Sequence, residues 1–347
     1  MVIRADRIIT PSAEESCLRT IVVRDGRIED IIHEPPSLAE VHDFSGCVIA
    51  PCFCDYHLHF PQRAVESASD VLGRLLSRGI TRVYESGDKK GAGLEMKRIS
   101  GGRVGVLAAG YGLFHEGGYG KTIGRCISDA GQAKSVIDAL ISEGIDYLKI
   151  VQSGIYDPES DRVTAGGFAP GDLAAMIAYA RSKGLAIFCH ANGARAVSEA
   201  VQAGVSAIIH GLQVLDETLS EMARKKIAFI PTLHAFKSLH HLYSGEEARR
   251  NISRALDGHM AAAMKAYEAG VKVLPGSDAG PQFIPYGDSF ISELALLLQS
   301  GMPYDAIIRS ASAGPLQKRQ DADFLVLEGL KIREIILRGI FSAERFT

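Results

Sequence analysis

Short apolar runs alternating with helical stretches constrain this chain more than any other feature. The runs fall at residues 48–54, 81–84, 104–109, 147–151, 186–190, 207–210, 227–232 and 271–275. Each reads as a buried strand. Several intervening stretches carry helix punctuation. Asp129 is placed to cap a helix that stops at Gly144, and a second helix is predicted from Asp172 to Lys183, stopping at Gly184. The stretch 217–226 keeps its charges on one exposed side, so Arg224-Lys225-Lys226 reads as a solvated last turn rather than a binding patch. Eight strands alternating with helices over about 250 residues predict an α/β fold, a closed (β/α)8 TIM barrel. An open doubly wound sheet is the alternative.

The two ends of the sequence differ from its middle. Residues 2–9 and 20–23 are short and β-branched, and Asp25-Gly26 leads into 27–32 as a hairpin. Residues 322–327, then Glu328-Gly329, then 332–337 repeat that style. Both ends are expected to pair into one small β-sandwich domain, residues 1–50 with 320–347, beside a barrel domain at 51–319.

Composition limits the partners. The 38 basic and 41 acidic residues give a net charge of −3, which argues against nucleic acid or an anionic membrane. The first residues lack an uninterrupted apolar stretch of the kind a signal peptide needs, and no run reaches the roughly 18 residues of a bilayer span. Six cysteines, at 17, 47, 52, 54, 126 and 189, form no paired C-x-x-C array. Cys52, Cys54 and Cys189 neighbour candidate ligands along strands, so they are expected to point away as small buried groups. Reduced thiols suit a cytoplasmic protein. A small-molecule substrate is the expected partner, and homo-oligomerisation is left open.

The chemistry-bearing residues fall where the predicted strands end. His57 and His59 flank one residue, and positions i and i+2 of a strand share a face, so both imidazoles can reach one cation. Lys149, His190, His210 and Asp278 follow at the ends of strands four, five, six and eight. Those ends converge only if the sheet closes on itself, which favours the barrel over the open sheet. Singly, a strand histidine can be a satisfied core group and Asp278 a turn cap. Jointly, burying so many polar groups without a shared partner is costly. Imidazole and carboxylate together suit zinc or another first-row divalent ion. Lys149 has two readings: a neutral amine that takes up carbon dioxide and bridges two ions as a carbamate, or an ammonium that binds a substrate carboxylate beside a single ion.

These residues resemble the amidohydrolase superfamily, whose Pro-x-x-x-Asp-x-His-x-His strand is matched by Pro51, Asp55, His57 and His59. Residues 146–149, 189–193, 210–211, 230–233, 276–280 and 293–313 are similar to its prolidase-like and imidazolonepropionase-like branch. The resemblance implies a barrel with a small β-sandwich from both termini. It implies one divalent metal, zinc above all, on His57, His59 and Asp278, a second on His190 and His210, and a carboxylated Lys149 bridging the two. It also implies a metal-dependent hydrolase in which metal-activated hydroxide attacks an amide-like C–N bond and Asp278 shuttles the proton. Two departures stand out. Cys52 follows the proline where glycine is usual, and the connection from Ala313 to Asp321 is short, which predicts a reduced sandwich.

Further residues are candidates for substrate contact. The glycine-rich stretch 111–120 carries His115 and Tyr119 and is expected to act as a lid over the strand ends. Gln152, His234 at the end of strand seven and Gln282 after strand eight complete the set. The expected substrate is a dipeptide, an N-acyl amino acid or a cyclic amide. The competing reading is an aminohydrolase that deaminates a heterocycle at a mononuclear site. That chemistry calls for an acid after strand five, and none precedes Glu199. A third reading, a non-catalytic barrel used for assembly or binding, fits poorly with a full ligand set.

Overall fold

The computed structural model describes residues 1–10, 18–37, 39–60 and 67–341, and Cys17 lies outside them. Two bodies meet where the strand Val41–Pro51 of the first leads into Phe53–Leu58 of the second. The first is a seven-stranded sheet in the order Ile340–Phe341, Lys331–Leu337, Phe324–Glu328, Val41–Pro51, Val2–Ile8, Thr20–Arg24 and Arg27–Ile32. The hairpin foreseen at Asp25-Gly26 forms, both residues adopting the positive φ that its turn requires. The sheet curls until its ends meet. Ala322 N–H donates to Gly26 O at 2.9 Å, and Ile28 N–H donates to Gln320 O at 2.9 Å. Ile3, Ile21, Ile28, Ile49, Phe324 and Ile336 thus share one buried core, drawn from both ends of the sequence.

The second body is the TIM barrel. Phe53–Leu58, Ile80–Glu85 and Gly105–Ala108 pair in parallel. Past a break, Gly112–His115 continues the third strand and pairs with Tyr147–Val151, which is followed in parallel by Ala186–Ala191, Ala207–His210 and Ala228–Ile230. The eighth position is irregular yet joins both neighbours. Leu274 N–H donates to Phe229 O (2.8 Å), Tyr56 N–H to Pro275 O (3.0 Å) and Asp278 N–H to His57 O (2.8 Å). This segment runs so close to the first strand that a Cβ at Gly280, where φ is 132°, would stand 2.4 Å from His59 O.

Three sequence expectations shift. The apolar run 48–54 is two strands, because Val41–Pro51 lies between two cores: Cys47 and Ile49 face the terminal sheet's core, while Ala50 faces the barrel's. A strand buried on both faces has no periodicity to mark where one body ends. The stretch 111–120 is partly strand, since Gly112–His115 is hydrogen-bonded into the barrel, so only its remainder is loop. The helix placed at Asp172–Lys183 runs Pro170–Ser182, proline supplying its first turn. The Asp129 cap and the stop at Gly144 stand as read, Asp129 accepting from Gln132 N–H. Among the described residues no helix is long and apolar enough to cross a membrane.

Candidate metal centre

Strand geometry brings the six candidate ligands to one end of the barrel, where they line a single cavity of about 180 Å³. His57, His210 and Asp278 each offer a ligand atom within 4.8 Å of the others. The rings of His57 and His59 lie 5.1 Å apart, those of His57 and His210 5.2 Å, and those of His190 and His210 4.6 Å. His210, Thr232 and Asp278, all at strand ends, adopt positive φ of 67°, 52° and 55°. Each non-glycine residue held so costs roughly 1–3 kcal/mol, and strain of this kind gathers at functional sites.

The supporting hydrogen bonds fix which nitrogen of each ring carries its proton. His59 Nδ1 lies 2.8 Å from Gly87 O, and His190 Nε2 lies 3.0 Å from Gly154 O. A carbonyl only accepts, so both nitrogens are protonated and the opposite nitrogen of each ring keeps its lone pair. Thr232 Oγ1 donates to Pro231 O and therefore accepts from His210 Nδ1, 2.7 Å away. Tyr147 Oη donates to Glu85 O at 2.6 Å, so Ser86 Oγ donates to Tyr147 and accepts from His57 Nδ1 at 2.6 Å. All four rings turn an unprotonated nitrogen away from their supports.

Two buried carboxyl groups hold this scaffold. Glu85 accepts from Gly87 N–H (2.6 Å) and Gly110 N–H (3.1 Å), setting the Ser86-Gly87 turn that serves His57 and His59. Asp55 accepts from the Ser277 hydroxyl and from Ser277 N–H at 2.9 Å, tying the first strand to the turn that presents Asp278. Burial pushes Glu85 up to about 8 and Asp55 up to about 7.

Burial also keeps the centre's imidazoles neutral. His57 and His210 fall well below their usual value, and His190 falls to about 4, in each case chiefly by desolvation. Desolvation likewise lowers the Lys149 amine to about 8 and raises Asp278. The unprotonated His57 Nε2 is buried without a hydrogen-bond partner, and it stands 3.1 Å from Asp278 Oδ1. Two electron-rich atoms crowd each other there without a hydrogen bond, which is unfavourable unless a cation binds both. The donor set therefore fits a divalent ion. Ser86→Ala, which removes the His57 acceptor, is expected to weaken divalent-ion affinity about 10- to 100-fold, read by competition with a chelating dye. Unchanged affinity would sink the tautomer argument.

The remaining sequence candidates separate. Tyr119 lines the cavity with its ring 5.3 Å from that of His190. His115 packs edge-on against Phe168 and lies off the described lining. Gln152 is buried and occupied: its amide donates to Phe168 O and Glu199 and accepts from Phe168 N–H. His234 sits within the helix Leu233–Ser238 rather than at a strand end, its Nε2 3.2 Å from Ser238 Oγ. Gln282 is exposed. Sequence reasoning missed Ser86, Thr232, Asn192, Tyr156 and Phe236. The first two each directly follow or lie near a strand end, a weak signal. Asn192, directly after the strand Ala186–Ala191, carries the same weak signal, whereas Tyr156 in the short strand Tyr156–Asp157 and Phe236 in the helix Leu233–Ser238 carry none.

A model of the amidohydrolase family matches residues 48–318. The chain belongs to that family. Members of that family are generally metal-dependent. Ochratoxinase of Aspergillus niger is 23% identical over 252 residues, covering 67% of this chain and 51% of that protein. The chain thus spans about half the length of the curated relative it matches. A solved Xaa-Pro dipeptidase with methionine bound in its active site superposes with a TM-score of 0.79 at 20% identity, covering 98% of both chains. A putative prolidase from Bifidobacterium longum gives 0.79 at 22% identity, covering 98% of this chain and 94% of that one. These likenesses establish the barrel with its added sheet domain.

Proposed function

We propose that this amidohydrolase cleaves an amide-like C–N bond of a small molecule, in the range of dipeptides, N-acyl amino acids and cyclic amides. The observation that carries the reading is the unprotonated, partnerless His57 Nε2 lying 3.1 Å from Asp278 Oδ1. His57, His59 and Asp278 would hold one divalent ion, and His190 and His210 a second, with Lys149 as a carbamate between them. Zinc suits such imidazole and carboxylate donors. Bound there, divalent cations supply an acidified water and polarise the substrate carbonyl. Asp278, raised by burial, takes the proton from the attacking water and passes it to the leaving nitrogen. Tyr119, on the cavity wall beside His190, is placed to orient the substrate.

The catalytic unit in this reading is 51–319, with 1–50 and 320–347 as its small β domain. The described cysteines are all unpaired, which supports a reducing cytoplasm. The deaminase alternative gains nothing, since Glu199, the first acid after His190, is held by Gln152 and Arg195 away from the described lining. The test is hydrolysis of a panel of dipeptides, N-acyl amino acids and simple and cyclic amides. Dialysis against a chelator is expected to abolish turnover, and added zinc to restore it. No turnover of any member by the zinc-loaded protein rejects the reading.

A further inference from the structure

The cavity has two unlike kinds of lining. Beside the six ion-centre side chains stand the apolar groups of Ile155, Tyr156, Phe236, Leu239, Phe283 and Ile284. Among the described lining residues the only cationic side chain is Lys149, which the hydrolase reading assigns to the ions. Several neighbouring polar groups are already committed, although the Tyr119 hydroxyl and the Asn192 amide nitrogen are not. Tyr156 Oη donates to Asp161 at 2.6 Å, so its ring rather than its hydroxyl serves the cavity. Arg254 is paired with the same Asp161, and Asn192 Oδ1 accepts from Leu212 N–H. Ile155 is 45% exposed, an aliphatic side chain left uncovered at the edge of the wall.

From this we infer that the substrate carries a neutral, apolar group beside its scissile amide, and that it lacks a free carboxylate there. The inference rests on the hydrolase reading and narrows it. A carboxylate against this wall would lose its water with no cation but Lys149 among the described lining residues to replace it, whereas an apolar group gains by the same burial. In the reaction, water adds across the amide. Its hydroxyl goes to the acyl carbon and its proton to the nitrogen, releasing a carboxylic acid and an amine.

Matched substrates test this on the zinc-loaded enzyme. N-Acetylphenylalanine is compared with N-phenethylacetamide, and N-acetylleucine with N-isopentylacetamide; within each pair only the carboxylate differs. The neutral member is expected to show a kcat/KM at least about tenfold higher. Ile155→Lys, a change at a half-exposed position, is expected to narrow or reverse that ratio. A carboxylate member hydrolysed as fast as its neutral partner overturns the inference and leaves the hydrolase reading standing. If neither pair turns over, the inference falls too, and the wider amide panel alone then judges the hydrolase reading.

Discussion

Lys149→Met will lower amide hydrolysis by more than about 100-fold and cut bound zinc from about two equivalents to one or fewer. Methionine fills similar apolar space but cannot become a carbamate. Carbamate formation consumes a neutral amine and carbon dioxide and releases a proton. Burial makes the neutral amine available, because it lowers Lys149 from 10.5 to about 8. Below that value the ammonium dominates and would repel the ions; above it the amine is free to react. At a fixed concentration of dissolved carbon dioxide, reconstitution of metal-free protein with zinc should therefore proceed faster as pH rises from 7 to 9, and removal of carbon dioxide and bicarbonate should slow it. Elemental analysis of the dialysed variant decides the matter. Full zinc content with near-normal turnover would rule out a bridging lysine.

Asp278→Asn should reduce kcat by about 10²- to 10⁴-fold, the range lost with a positioned proton-transfer group. The amide preserves shape and still accepts through oxygen, but it neither ligates as an anion nor carries the proton to the leaving nitrogen. Substrates with better leaving groups need that proton less, so the defect should shrink for an activated anilide relative to an alkyl amide. A uniform loss across both would assign Asp278 to ion binding alone.

The candidate ion centre was legible because its residues are chemically rare at the positions they hold. Histidines and an aspartate at the ends of apolar strands have few reasons to be buried together, and the barrel period told where those ends lie. The supports were less legible. Ser86 and Thr232 act through a single hydroxyl, and such residues are common near strand ends. Gln152 and His234 were read as substrate contacts because they follow strands four and seven. Local packing turns Gln152 into a clamp on Phe168, and an early helix start carries His234 along its own axis. The boundary between the bodies was hidden by the end of Val41–Pro51, where Cys47 to Pro51 are apolar on both faces.

That strand ties the order of synthesis to the order of folding. Val41–Pro51 emerges early from a ribosome, yet its partner Phe324–Glu328 is made only after every barrel strand. Until then one edge of the strand leading into His57 stays unpaired, and an unpaired apolar edge invites association with other nascent chains. The mature centre thus depends on a late sheet closure far from its own ligands, and chaperone demand during expression should fall once that last hairpin is complete.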